Sequence, residues 1–337
     1  MIFRRRAHSN TRLGPSGPIM SPEAYVEALY ELCLGRPSDP DGLAFWTERL
    51  RETGDATDVL NALRSSEEAQ LRSRSVDRSA CISIAMDALA VLARHPRVVD
   101  VGAQSLGVGT HAYSPLLELT AVDIVGFDPL AQRLGERAAS EAAGGDLTLL
   151  PYAIGDGAVH TFHVNNDDST SSLFPLNVTH NERFNHLSTL STVRTERVET
   201  HRLDDVLPPG PIDLLQIDVQ GAELMVLQGA NSSLSRTSAV HCEVEFSPIY
   251  LGQPLYPEVH DVLAAHGFYL VDLLVPGHYH YLTRSGRIAP DRLLWADVVY
   301  FRETDDTEAL CSQALIASGG YSKPTLGEYL LDRALHP

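Results

Sequence analysis

IDLLQIDVQGAELMVLQGA (Ile212–Ala230) is the stretch on which the fold turns. Its first half is a continuous apolar run ending in a carboxylate, Asp218, and suits a central strand covered on both faces. Its second half opens beyond Gly221 with Glu223 and runs at helical spacing to Gly229, so a strand hands over directly to a helix. Short apolar, β-branched runs of the same kind lie on either side: RVVDV from Arg97, DIVGFD from Asp123, LTLLPYAI from Leu147 and AVHCEVEF from Ala239. The pieces at 111–120, 130–143, 222–235 and 256–266 are long enough for crossover helices. Together they predict a doubly wound α/β domain, a mostly parallel sheet with helices on both faces. FYLVDLL (Phe268–Leu274) and ADVVYFR (Ala296–Arg302) are expected to close it as an antiparallel pair, and 305–336 to form helices over an edge or a partner.

The amino-terminal part has a different period. Ser21 reads as an N-cap with Pro22 at the first helical position, and Tyr25, Val26, Leu29, Tyr30 and Leu32 follow helical spacing. RPSDPDG (Arg36–Gly42) is dense in turn residues and ends that helix. A second helix is expected over Leu43–Thr53, with Phe45, Trp46 and Leu50 inward, and a third over Thr57–Arg72. The predicted organisation is a disordered tail over 1–18, a small all-α bundle over 19–75, the α/β domain over 76–303 and carboxyl-terminal helices over 304–337.

Composition narrows the function. With 44 acidic against 26 basic residues, the net charge of −18 argues against nucleic acid or anionic membrane as a partner, because phosphate contacts need clustered Lys and Arg. Four scattered cysteines with no CxxC pair point to a reducing, cytoplasmic setting rather than to disulfides or structural zinc. No apolar run approaches the ~20 residues of a membrane span, and the Arg-rich start has no apolar segment behind it. The carboxyl-terminal helices leave room for a homodimer contact.

Asp100-Val101-Gly102-Ala103-Gln104 ends the first strand of the sheet, where doubly wound folds receive their ligand. A glycine there lets backbone and ligand approach closely, or shapes a tight turn. The turn reads G-A-Q-S-L-G, so it carries neither the G-x-G-x-x-G of dinucleotide sites nor a phosphate-cradling G-K-[ST]. A nucleoside without pyrophosphate needs neither. Asp128, at the end of the second strand, can accept both ribose hydroxyls, and ahead of Pro129 it also makes a helix N-cap. Period-two alternation puts His241, Glu243 and Glu245 on one face of their strand, where burying them is costly without partners or a purpose. Residues 158–202 start as a hairpin-like AVHTFHV and then become too long and polar for an ordinary connection, which marks a lid or a disordered segment.

VVDVGAQ, GFDP, AIGD (Ala153–Asp156), IDVQGAE with its following LQGA, and HCEVEFSPIY together resemble the FkbM family of S-adenosylmethionine-dependent methyltransferases, over roughly residues 95–301. One departure is Gln220, where the family commonly carries glutamate. The resemblance implies a Rossmann-like class I methyltransferase sheet, with the methionine tail of the cofactor over Gly102 and its ribose on Asp128. It also implies methyl transfer to a hydroxyl, often on a sugar, glycan or secondary metabolite. Such a displacement asks the protein to align the hydroxyl and take its proton. Asp218 or Glu243 is the expected proton acceptor, with His241 behind them. Asp156 follows the third strand, where an acid in this fold often approaches the adenine amino group, although A-I-G-D-G is also an ordinary turn. Ser171 and Ser172 resemble a recurrent family feature, their hydroxyls touching cofactor or acceptor or capping local turns. His180 and His186 read as solvated. Asp167, Asp168, Asp218 and Glu243 could converge on a divalent cation that orients vicinal hydroxyls, but sequence does not show convergence and no metal is expected. A nicotinamide-type oxidoreductase of a nucleotide sugar, or a non-catalytic scaffold, are the rival readings; the missing G-x-G-x-x-G and Tyr-x-x-x-Lys speak against the first. YVEALYELCLGRPSDPDGLAFWTERL, in the amino-terminal bundle, resembles a widespread bacterial domain of unassigned function.

Overall fold

The computed structural model describes residues 21–34, 36–53, 59–60, 62–63, 66–103, 111–140 and 144–336. The tail expected over 1–18 and the candidate Gln104 lie outside the described residues. The chain divides between Asp77 and Arg78 into two compact units.

In the first unit, helices α1 (Pro22–Leu34) and α2 (Pro40–Thr53) form because each begins with a cap and a proline. The Ser21 hydroxyl accepts the Ala24 N–H, and the Asp39 carboxylate accepts the Gly42 N–H at 2.8 Å. Val26, Leu29, Tyr30, Leu34, Val59 and Leu63 make the core. Trp46 and Leu50 pack against it, but Phe45 is 58% exposed and does not face inward. The third helix expected over 57–72 lies partly outside the described residues. Residues 59–60 and 62–63 of it are helical, and a 26-residue helix, α3 (Glu67–Leu92), follows.

The second unit is built on a seven-stranded sheet. Its strands are β1 (Arg97–Val101), β2 (Val122–Phe127), β3 (Gly144–Leu150), β7 (Ile212–Ile217), β8 (Thr237–Glu245), β9 (Phe268–Tyr279) and β10 (Arg292–Arg302), in the order β3-β2-β1-β7-β8-β10-β9. The first five pair in parallel, and β10 runs antiparallel to both β8 and β9. The strand order reverses between β1 and β7, so a crevice opens there at their carboxyl ends. The continuous apolar runs are explained by two covered faces. On one, Val99, Leu215 and Val240 pack with Val226, Leu227 and Leu263 from helices α8 (Glu223–Gln228) and α10 (Tyr256–Ala265). On the other, Val98, Leu214 and Ala239 pack with the carboxyl-terminal half of α3 and with α11 (Thr307–Leu315) and α12 (Pro324–Leu335). Each such aliphatic side chain contributes ~1.5–3 kcal/mol when fully buried. The terminal helices therefore cover a face of the sheet, where the sequence led us to expect an edge or a partner.

The polar stretch after β3 is ordered. Strands β4 (Ala153–Ile154), β5 (Val159–Asn165) and β6 (Thr192–His201) make a small second sheet, with β5 and β6 antiparallel. The excursion between β5 and β6 has its own core of Leu176, Phe184 and Leu187 packed with Ile249, Tyr250 and Leu294. Those few apolar residues, spaced among polar ones, pin it over the carboxyl ends of the main strands.

Candidate active site

Gly102 leaves β1 at φ +91°, and a Cβ there would meet the Asp218 carbonyl oxygen at 1.9 Å. Only glycine satisfies both conditions. The N–H groups of Gly102 and Ala103 donate to the Phe127 carbonyl and the Asp218 N–H donates to Val101, all at 2.9 Å. The ends of β1, β2 and β7 are thereby stitched into one rim.

Two adjoining cavities open on that rim, and Gly102, Asp218 and Gln220 line both. The first, of about 610 Å³ including its mouth, has apolar walls of Phe127, Tyr152, Ile154, Phe162 and Leu173, with Asp128, Asp168 and Ser171 among them. The second, about 930 Å³, is polar and aromatic; Asp167, Glu243, Glu245, Tyr250, Tyr279 and Trp295 face it.

The first cavity suits a nucleoside. Asp128 is 6% exposed, and one carboxylate oxygen accepts the Leu130 N–H at 2.7 Å, which leaves the other for a ligand. Burial raises its pKa to about 6 against the pull of that N–H, because an apolar wall disfavours the charge. Asp168 is tied to Arg133 of the helix after β2. No Lys or Arg is among the described residues lining either cavity.

The shared wall is acidic. The Gln220 amide donates to Asp218 Oδ1 at 2.8 Å and to Glu243 Oε2 at 2.6 Å. One amide thus bridges the two carboxyls. Burial raises the Asp218 carboxyl; the Gln220 amide opposes this and Asp297 adds to it. Glu243 is raised well above the usual range by burial and then by Asp218 and Glu245. Behind them Glu223 accepts the Val219 and Gly221 N–H groups at 3.0 and 3.1 Å, and burial lifts it to about 7. Carboxyls with pKa values pushed toward neutrality are suited to accept protons there. Among the described residues, no group of three Asp, Glu, His or Cys side chains is arranged to hold a metal ion.

The structure thus brings together Gly102, Asp128, Ser171, Asp218 and Glu243 from the sequence-derived set, and moves others off the cavity walls. Asp100 is 1% exposed and is engaged by the Tyr113 hydroxyl and by Arg137, at 2.7 and 2.8 Å; it braces the rim from below. Ala103 is fully buried, and its carbonyl accepts from the same Arg137. His241 does share a face with Glu243, but lies two residues deeper in the strand. There its Nδ1 meets the Tyr321 hydroxyl at 3.0 Å, and Asp297 approaches its other nitrogen at 3.7 Å. Asp156 lines neither cavity and bonds His160, Thr200 and the Ala158 N–H instead. Ser172 donates to the Gln220 carbonyl at 2.6 Å, a brace and not a wall. Sequence reasoning missed Gln220 as a site residue, and with it Tyr250 and Trp295. The place of Gln220 inside the strongest motif was its one signal.

The sequence pattern described as the Methyltransferase FkbM domain matches residues 100–270, half of the chain. The chain belongs to the FkbM methyltransferase family. Its fold is the Rossmann-like methyltransferase sheet, and family membership implies S-adenosylmethionine as methyl donor. Residues 16–73 match a domain of unknown function (DUF4214). A curated relative, 2-O-methyltransferase NoeI of Sinorhizobium fredii (strain NBRC 101917 / NGR234), is 36% identical over 98 residues; that covers 27% of this chain and 40% of the relative. Among solved structures, methyltransferase FkbM from Methylobacillus flagellatus KT is 14% identical, with a TM-score of 0.34 over 82% of this chain and 59% of that one. Magnesium protoporphyrin IX methyltransferase from Synechocystis PCC 6803, solved with bound SAM, is 13% identical, with a TM-score of 0.32 over 86% of this chain and 100% of that one. No described helix is long and apolar enough to cross a membrane.

Proposed function

We propose that the protein is an S-adenosylmethionine-dependent O-methyltransferase acting on a hydroxyl of a sugar, glycan or glycosylated secondary metabolite. The observation that carries this reading is the pair of cavities meeting at Gly102, Asp218 and Gln220, one shaped for a nucleoside and one polar and aromatic. The cofactor fits what is there. The Gly102 backbone is kept open by the missing Cβ, Asp128 offers a carboxylate to a ribose diol, and Phe127, Tyr152 and Ile154 offer apolar walls to a base. A pyrophosphate finds no Lys or Arg among the described lining residues, which disfavours a nicotinamide dinucleotide.

When bound, S-adenosylmethionine supplies a methyl group activated by a sulfonium. The chain's own work is alignment and proton transfer. Tyr279 and Trp295 offer flat apolar faces to a sugar ring, and Asp167 and Glu245 can accept from its other hydroxyls. Asp218 or Glu243 takes the proton of the reacting hydroxyl. The relative named 2-O-methyltransferase supports oxygen as the acceptor atom. All four cysteines are free thiols, which supports a cytoplasmic setting; a homodimer and the boundaries 19–75, 76–303 and 304–337 belong to the same reading. The test is incubation with methyl-labelled cofactor and a panel of glycosides, followed by product analysis. Label in an O-methyl ether supports the reading; label on nitrogen or carbon contradicts it.

A further inference from the structure

Gln220 is one of four described non-glycine residues at positive φ, here +55°. That region is costly for a residue with a side chain. The turn is held there by bonds from three directions. Glu223 Oε1 accepts the N–H groups on either side, at Val219 and Gly221. The Ser172 hydroxyl donates to the Gln220 carbonyl, and the Tyr250 hydroxyl lies 3.0 Å from Gln220 Oε1. The result of this bracing is specific: the side-chain amide faces Asp218 and Glu243 with one hydrogen for each. Carboxylates only accept, so the NH2 end of the amide must be the one that faces them.

We propose that Gln220 is a positioning residue for methyl transfer, clamping Asp218 and Glu243 into a single acid–base pair that receives the acceptor's proton. This rests on the reading of the site given above. Two buried carboxyls held on one amide are close enough for the charge on one to oppose ionisation of the other, so they titrate as a pair. The groups facing the pair are Glu245 on its own strand, Asp297 opposite on β10, Glu223 and Tyr250, with Cys242 and Asp100 farther off. His241 on the same face stands 3.7 Å from Asp297, and Arg137 holds Asp100; on Asp218 and Glu243 themselves, the two amide hydrogens are the donors that offset the repulsion. In the transfer, the acceptor O–H bond breaks, its electron pair stays on oxygen, and the proton goes to the free carboxylate oxygen of the pair. A neutral amide does this where a third carboxyl does not. Glutamate at 220 has at most one hydrogen to donate, and none once ionised.

The test uses two variants of the full chain, Gln220→Met and Gln220→Glu, and two readouts. The first is a carbon-13 titration of labelled Asp and Glu carboxyls, which needs neither cofactor nor acceptor, assigned with Asp218→Asn and Glu243→Gln. Wild type is expected to show the two carboxyls titrating together. Gln220→Met should move their midpoint up by at least about one pH unit, because both amide hydrogen bonds to the pair are lost, and Gln220→Glu should move it further. The second is the pH profile of turnover, whose acid limb should follow the same shift. A structural role alone lowers turnover at every pH and leaves the limb where it is. Independent titrations in wild type, or an unmoved midpoint in both variants, overturn the proposal. A wild type that transfers no methyl while the linked titration persists overturns the enzymatic reading instead.

Discussion

Replacing Gly102 with alanine tests the rim that joins the two cavities. A Cβ at this position meets the Asp218 carbonyl oxygen at 1.9 Å, which is more than 1 Å inside van der Waals contact, so β1 and β7 must part at their ends. The φ of +91° adds backbone strain, which costs roughly 1–3 kcal/mol for a residue other than glycine. Strain and displacement together predict a loss of about 3 kcal/mol, or a fall in Tm of ~6–12 °C for a unit of this size. Parting the strands also moves the cofactor's seat, and we expect at least a roughly tenfold weaker Kd, worth about 1.4 kcal/mol. Differential scanning calorimetry and titration with S-adenosylmethionine measure the two effects on one sample. A Gly102→Ala chain that melts with wild type and binds the cofactor equally well refutes the reasoning.

Asp128→Asn retains an oxygen for the Leu130 N–H but removes the charge from the cavity; cofactor affinity should fall by roughly 1.5–3 kcal/mol with little change in Tm, and a wild-type affinity argues against the ribose contact. Arg137→Ala strands Asp100 in the core and should cost about 3–5 kcal/mol by denaturant unfolding, with Asp100→Asn restoring part of it; a loss under 1 kcal/mol speaks against this brace. Glu223 and Asp128 titrate near 7 and 6 in the folded chain, above their unfolded values. Their folded forms bind protons more tightly, so the stability they contribute is full below about pH 4 and is lost as pH rises from there through about 6 to 7. Glu223→Gln should flatten that slope in melting curves, and an unchanged slope contradicts the assignment. Asp218→Ala should abolish turnover while leaving the fold intact by circular dichroism, and near-wild-type activity removes it from the chemistry.

The sheet was legible because two-sided burial writes itself as unbroken apolar runs; RVVDV, DIVGFD and IDLLQIDV all became central strands. Strand ends gave Gly102, Asp128 and Asp218, since ligands of such sheets collect there. Depth along a strand was not legible. His241 shares the face of Glu243 but lies two residues, ~6.6 Å, farther from the carboxyl edge, and Tyr321 closes over it. Asp100 looked like a ligand because its partner, Arg137, lies on a helix far away in sequence and is 1% exposed. Nothing local announces that pairing. The stretch 158–202 read as polar because its few core residues, Phe184 and Leu187 among them, are irregularly spaced and match no helix or strand period. Gln220 was passed over as a departure from pattern, although its amide is what an acidic wall with no lining Lys or Arg requires.

The central claim is that the cavity beside Gly102 is the seat of S-adenosylmethionine. Titration calorimetry of the full chain with that cofactor, and separately with NAD, addresses it without knowledge of the acceptor. The account predicts one-to-one binding of S-adenosylmethionine at micromolar Kd, lost in Gly102→Ala and weakened in Asp128→Asn, with no heat from NAD. Saturable binding of NAD, or no binding of S-adenosylmethionine to the folded wild-type chain, contradicts it.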